Sequence, residues 1–316
     1  MFYLCSLITI FTLFFIRTME KFYGTGVAMV TPFDENGQVD YAGLRNLMNY
    51  LIDGGVEYLV SLGTTGESVT LSKEEKKKIF EFTAQVAAGR VTLVAGIGGN
   101  NTHEIVNEVK SFNIAGYDAI LSASPAYNKP TQEGIYQHYK AIAEVSPLPI
   151  ILYNVPGRTG SNVSADTTVR LAKDFKNIIG IKEASGNFDQ LNQIMRDKPE
   201  DFLLISGDDP ISLPMIALGG VGVISVVGNA LPRLFSDMIR LCLKGDFKAA
   251  QPAHSSVIEF TRMMFAEGNP AGVKTALKAL GVCGDNVRLP LAQVSAKLAE
   301  KIIEETRQLA SPVAVH

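Results

Sequence analysis

Ile178-Ile179-Gly180-Ile181-Lys182-Glu183-Ala184-Ser185 is the stretch on which the reading of this 316-residue chain turns. Three isoleucines around one glycine, ahead of the first charge, have the length and β-branched composition of a strand buried on both faces, as strands of parallel sheets are. Asn187-Phe188-Asp189-Gln190 follows, an acceptor side chain three residues before a glutamine, which is the layout that opens a helix. A buried strand followed at once by a helix start is one βα unit.

The unit recurs along the chain. Short apolar runs centre on Val30, Val60, Val94, Leu121, Leu152, Ile181, Ile205 and Ile224, separated by 30, 34, 27, 31, 29, 24 and 19 residues. Between them lie amphipathic segments with start and stop signals. Asp40 precedes Leu44, Leu47, Met48, Leu51 and Ile52 on one face, with Gly54-Gly55 as the stop, and Ser72-Lys73-Glu74-Glu75 reads as a capping box. An open doubly wound sheet shares this βαβα order. Eight units, and the absence of a glycine fingerprint after the first run, favour closure into a (β/α)8 TIM barrel over residues 19–229. Beyond Asn229 the strand signal ends, and residues from about 232 to 310 read as helices only. Residues 230–316 are therefore expected to be C-terminal helices packed on the barrel, more than one barrel helix requires.

Composition narrows the function. Hydrophobic residues make up 47% of the chain and charged residues 19%, enough apolar material for a sizeable core and too little charge for a disordered polymer. A net charge of −3 without a long basic run lacks the electrostatic footprint of a nucleic-acid binder. Cys5, Cys242 and Cys283 lie far apart, which argues against a disulfide framework or a thiolate metal site and fits a reducing compartment. His103, His138, His254 and His316 form no zinc-binding spacing, and no P-loop or serine nucleophile elbow is present. Gly96-Ile97-Gly98-Gly99 lacks the third glycine of a dinucleotide fingerprint. No metal is expected, and the partners are expected to be small molecules and other subunits. Phe2 to Ile16 is almost wholly apolar yet short of a spanning helix, its positive charge Arg17 follows it, and no small-residue cleavage site comes after. Residues 1–18 are thus read as an extension outside the mature fold, produced by an early start ahead of Met19, and the protein as cytoplasmic and not membrane-bound.

In a (β/α)8 barrel the chemistry sits at the C-terminal strand ends. Four of these ends carry polar motifs: Gly63-Thr64-Thr65-Gly66-Glu67, Ser124 to Asn128, Tyr153 to Gly160, and Lys182 to Ser185. Lys182 interrupts an apolar run. It can form a structural salt bridge with Glu183 or Asp208, or it can serve as a Schiff-base nucleophile. An amine must be neutral to attack a carbonyl. Burial lowers a lysine pKa from its usual value of about 10.4, and each unit recovers about tenfold in neutral amine. Tyr153, one strand earlier at the same level, is either a core tyrosine or a proton carrier, with Thr64 and Tyr127 completing a hydroxyl chain to solvent. Thr64-Thr65-Gly66 is a plain turn or a carboxylate cradle. Arg158 is a solvated charge or a bidentate grip on a second carboxylate.

From Phe22 to Ala310 the chain resembles the dihydrodipicolinate synthase family of class I pyruvate-dependent barrel aldolases and lyases. The resemblance is carried by Gly24 to Phe33, Gly63-Thr-Thr-Gly-Glu-Ser68, Tyr153-Asn-Val-Pro-Gly-Arg-Thr-Gly160, Gly180-Ile-Lys-Glu-Ala-Ser185, Ser206-Gly-Asp-Asp209 and Gly222-Val-Ile-Ser225. It implies condensation of pyruvate with L-aspartate 4-semialdehyde, in lysine and diaminopimelate biosynthesis, without a cofactor. Lys182 matches the family's Schiff-base lysine, Tyr153 its proton donor and acceptor, and Thr64 with Tyr127 its hydroxyl relay. The residue matching Tyr127 reaches a neighbouring subunit, which implies a homotetramer built as a dimer of dimers. Thr65 and Ile224 match pyruvate contacts, Gly207 lines the pocket, and Arg158 matches the residue that binds the semialdehyde carboxylate. N-acetylneuraminate lyase shares the lysine and tyrosine but lacks the Arg158 loop. A catalytically inactive barrel used for binding would be expected to have lost a relay residue, and none is missing. The regulatory pocket for lysine departs from the sensitive pattern, with Lys73, Lys76 and Ala126 in place of histidines and an aromatic ring, so inhibition by lysine is expected to be weak or absent.

Overall fold

A computed structural model describes residues 19–113 and 115–310, so the reading of residues 1–18 lies outside the described residues. Eight parallel strands follow one another around a closed barrel: β1 (Gly24–Ala28), β2 (Tyr58–Ser61), β3 (Thr92–Gly96), β4 (Ala119–Ala123), β5 (Ile150–Asn154), β6 (Ile178–Glu183), β7 (Leu203–Ser206) and β8 (Gly222–Ser225). β1 pairs with both β2 and β8, which leaves no free edge. Seven of the eight run centres fall inside strands. Val30 lies two residues past β1, because the ladder bond Met29 N to Val60 O is the last, and Val30 N turns instead to the Asn229 side chain.

Side chains alternate between two cores. Tyr58, Val60, Val94, Leu121, Ile151, Tyr153, Leu203, Ile205 and Ile224 fill the barrel, whereas Leu59, Leu93, Ile120, Leu152, Leu204 and Val223 pack outward under the helices. A bulge breaks this alternation at one place. Ile150 pairs with Ile178, but Ile151 pairs with Gly180, so Ile179 is an extra residue on β6. Ile179 faces the inner core and Ile181 the outer, which turns Lys182 inward, level with Tyr153. Strict alternation from Ile179 would have sent Lys182 out among the helices.

The outer layer comprises α1 (Tyr41–Asp53), α2 (Lys73–Ala87), α3 (Thr102–Ser111), α4 (Gln132–Ala143), α5 (Ala165–Asp174), α6 (Phe188–Asp197), α7 (Ser212–Ala217) and α8 (Pro232–Leu243). The start signals work as read for α1, where Asp40 accepts from Gly43 N at 2.9 Å, and for α2, where Ser72 and Glu75 form a full capping box. At α6 only half of the box forms. Asn187 accepts from Gln190 N, but the Gln190 side chain turns away to the Glu183 carboxylate. After α8 come α9 (Phe247–Phe265), α10 (Ala271–Ala279) and α11 (Ala296–Ala310), the helical part expected beyond the barrel. α9 packs on α8, and α11 packs on α9 and α10. Among the described residues no strand follows β8, and no helix is long and apolar enough to cross a membrane.

Candidate active site

The strand register sets the centre of the site. Tyr153 on β5 and Lys182 on β6 are paired residues, and Lys182 Nζ stands 4.3 Å from the centre of the Tyr153 ring. Both are buried, with 4% and 6% of their surface exposed for Lys182 and Tyr153. Among the described residues no carboxylate lies within ion-pair distance of Lys182. The alternative partner Glu183 points to the other face of β6. Its carboxylate accepts from Asn154 Nδ2, Gln190 Nε2 and Ser185 N at 2.7 to 3.1 Å. Asp208 lies within electrostatic reach of Lys182; burial raises its carboxyl above the usual range, and the Lys182 charge opposes that rise.

Gly207 stands against the stem of this lysine. A Cβ built there would lie 2.7 Å from Ala184 Cβ and 3.1 Å from Lys182 Cγ and Cε, so the absence of a side chain is what lets Lys182 pass. Ile224, buried on β8, belongs to the same inner cluster of side chains as Tyr153. The loop beyond β8 is held by Asp209, whose Oδ2 accepts from Val226 N and Val227 N at 3.0 and 2.9 Å. Burial pushes the Asp209 carboxyl up to about 6, against the pull of those two amides.

The Thr64–Gly66 turn lies at the end of β2 as a single 3-10 turn. Its last amides close on Gly63 and Thr64 carbonyls, and the first amides of such a turn have no partner inside it. Thr65 is buried and its hydroxyl accepts from Asn269 Nδ2 at 2.9 Å, while Thr31 Oγ1 donates to the Gly66 carbonyl at 2.6 Å. Asn269 Oδ1 is buried with no partner, an orphan acceptor beside Thr65. Leu62 and Glu67 flank the turn in the left-handed region at φ of 57° and 53°, a cost of order 1 kcal/mol each for residues with a Cβ.

The remaining expected residues lie on loops. Arg158 is exposed on the single turn Pro156–Thr159, which Gly160 ends at a φ of 71°. Among the described residues its guanidinium has no hydrogen-bond or ion-pair partner. Asn154 ties this loop down, since its Oδ1 accepts from Val163 N at 2.9 Å while its amide serves Glu183. Tyr127 N donates to the Thr159 carbonyl at 3.0 Å, which couples the β4 and β5 loops. Tyr127, however, is 90% exposed, and among the described residues no hydrogen bond joins its hydroxyl to Thr64 or Tyr153. The structure therefore assembles Lys182, Tyr153, Gly207 and Ile224 around the barrel interior, sets the Thr64–Thr65 turn at the end of β2, and leaves Arg158 and Tyr127 on exposed loops. Among the described residues no group of His, Cys, Asp or Glu side chains converges to hold a metal ion.

Sequence reasoning missed Asn269, Lys274 and the packing role of Gly207. Glu67, Asn154 and Glu183 stood inside the quoted strand-end motifs, and Gln190 in the helix start. For Lys274 the one local signal was a charge set in the largely apolar stretch Pro270 to Leu277; Asn269, just ahead of that stretch, carried none.

A closed (β/α)8 barrel with a buried lysine beside a tyrosine at the ends of adjacent strands defines the class: a barrel enzyme with its chemistry at the C-terminal mouth. The model of the dihydrodipicolinate synthetase family matches residues 21–309. The 4-hydroxy-tetrahydrodipicolinate synthase of Flavobacterium psychrophilum is 53% identical over 291 residues, 92% of this chain and 99% of that protein, and that of Parabacteroides distasonis is 52% identical over 286 residues, 90% and 96%. Among solved structures, dihydrodipicolinate synthase from Thermotoga maritima superposes with a TM-score of 0.89 at 38% identity, covering 92% of this chain and 99% of that one. The enzyme from Aquifex aeolicus gives 0.88 at 43% identity, covering 91% and 98%. The chain belongs to the dihydrodipicolinate synthetase family.

Proposed function

We propose that this chain condenses pyruvate with L-aspartate 4-semialdehyde through a lysine Schiff base to give 4-hydroxy-tetrahydrodipicolinate, in lysine and diaminopimelate biosynthesis. The observation that carries the reading is the Lys182 amine, buried, without a carboxylate partner among the described residues, and 4.3 Å from the centre of the Tyr153 ring. The substrate pair is supported by the names of the relatives at 53% and 52% identity.

In the reaction, Lys182 Nζ adds to the carbonyl carbon of pyruvate, and Tyr153 delivers the proton with which the hydroxyl leaves as water. The protonated imine draws electrons from the neighbouring methyl group, which gives up a proton to the Tyr153 oxygen to leave an enamine. That carbon bonds to the aldehyde carbon of the second substrate, the aldehyde oxygen takes the proton back to become a hydroxyl, and the imine is restored. The amino group of the same substrate then displaces Lys182 from the imine carbon, closing the ring and returning the amine. The lysine is the electron sink, so no cofactor is required. Thr65 and the amides of its turn hold the pyruvate carboxylate, Ile224 and Gly207 shape the pocket, and Arg158 grips the semialdehyde carboxylate. Thr64 and Tyr127 carry protons onward, Tyr127 into the site of a neighbouring subunit. Tyr127 at 90% exposed and Val69 at 94% are large side chains left to solvent on the single chain, which fits subunit contacts and a homotetramer arranged as a dimer of dimers in the cytoplasm.

Trapping with borohydride tests the reading. Pyruvate plus borohydride is expected to inactivate the protein and leave a reduced pyruvyl group on Lys182, located by peptide mass mapping. Lys182→Ala is expected to lose activity by several orders of magnitude. Label on a different lysine would overturn the assignment.

A further inference from the structure

The Thr64–Gly66 turn is held from the far end of the chain. Glu67, which closes the turn, forms an ion pair with Lys274 on α10, and both side chains are fully buried. Glu67 Oε2 also accepts from Arg288 N at 3.0 Å, and Lys274 Nζ also donates to the Asn286 carbonyl at 2.7 Å. The ammonium sits 4.3 Å from the Phe33 ring centre, and the Arg288 guanidinium 4.4 Å from the same ring. Arg288 then reaches the Thr70 carbonyl at 3.0 Å and pairs with Glu75. Burial pulls the Lys274 amine below the usual lysine range, and Glu67 offsets part of that fall.

Two features set this cluster apart from ordinary packing. The residue it grips has a φ of 53°, and Leu62 at the other end of the turn has 57°; strained backbone of this kind persists only where its surroundings over-determine it. As a device for stability alone, a fully buried ion pair is also a poor choice, because apolar residues of the same volume often do as well or better. What the charges add is direction: Glu67 has its two oxygens claimed from two sides, and its backbone has one conformation to adopt.

We propose that Glu67 and Lys274 are positioning residues for pyruvate, through which the C-terminal helices lock the Thr64–Gly66 turn in its carboxylate-binding shape. Neither touches a reacting atom. The inference rests on the reading of that turn as the pyruvate-carboxylate cradle.

Steady-state kinetics on the full chain test it, with Glu67→Gln as the mildest change, Glu67→Gln/Lys274→Met as a double that leaves no buried charge unpaired, and Thr65→Val as the control on the cradle. Circular dichroism and melting identify the folded variants. The double is expected to raise the KM for pyruvate at least about tenfold and Glu67→Gln severalfold, with kcat within about threefold and the KM for the semialdehyde unchanged. A purely structural role gives the opposite split, a lower active fraction and so a lower kcat at the wild-type KM. That result in any folded Glu67 or Lys274 variant overturns the proposal. If Thr65→Val raises the pyruvate KM and the pair variants do not, the cradle stands and the positioning role falls. If Thr65→Val leaves the pyruvate KM unchanged, the cradle reading itself fails and takes the proposal with it.

Discussion

Adding one methyl group at Gly207 tests whether the stem of Lys182 is held where the geometry places it. The new Cβ would lie 2.7 Å from Ala184 Cβ and 3.1 Å from both Cγ and Cε of Lys182. Carbon atoms in ordinary contact are about 3.5 to 4.0 Å apart, so roughly 1 Å must be found toward Ala184 and about half that toward the lysine. Ala184 has little freedom, since its amide is bonded to the Asn154 carbonyl at 2.9 Å, and Gly207 N is bonded to the Glu183 carbonyl at 2.8 Å. The flexible partner is Lys182. Overpacking of this size costs about 1 to 3 kcal/mol in stability, and misplacing a reacting group by about 1 Å costs up to about a hundredfold in rate. Gly207→Ala is therefore expected to fold with a melting temperature lower by several degrees, and to form the borohydride-trapped adduct at Lys182 about ten to a hundred times more slowly than the wild type. A Gly207→Ala protein that traps pyruvate at the wild-type rate would refute the argument that this glycine makes room for the lysine.

Other outcomes follow from the same geometry. Tyr153→Phe keeps the ring beside Lys182 and removes the hydroxyl, so kcat is expected to fall while the KM for pyruvate holds in steady-state assays. Arg158→Ala removes a guanidinium with no partner among the described residues, and is expected to raise the KM for the semialdehyde far more than that for pyruvate; equal effects would count against a role specific to the second carboxylate. Inhibition by lysine is expected to be weak. Lys73 is exposed in the first turn of α2, with Lys76 half-buried one turn on, and the Asn100 side chain is occupied by Ala126 N at 2.7 Å. A like charge about 6 Å away costs on the order of 2 to 3 kcal/mol at an effective dielectric near 20, so half-inhibition below about 1 mM lysine would show that those charges do not reach the ligand.

The sequence by itself determined the barrel. Eight β-branched runs, spaced by segments with helix caps, can bury their apolar faces in few ways, and the caps at Asp40 and Ser72 are local chemistry that needs no distant partner. It also marked the strand ends that carry Lys182, Tyr153 and the Thr64–Thr65 turn. Tertiary structure decided what those residues face. The inward aim of Lys182 depends on one extra residue, Ile179, and a bulge is a property of two paired strands that no single strand displays. The grip of Asn269 on Thr65 and of Lys274 on Glu67 spans 204 and 207 residues of sequence, so each residue shows its purpose only when the chain has folded back onto the mouth of the barrel. Gly207 could be placed in the pocket by its motif, but that it is empty space for a lysine stem is a statement about neighbouring strands. Tyr127 marks the same boundary from the other side: its loop was legible as a strand end, while the exposure of its ring follows from a left-handed backbone and a bond to Thr159 that only the folded loops provide.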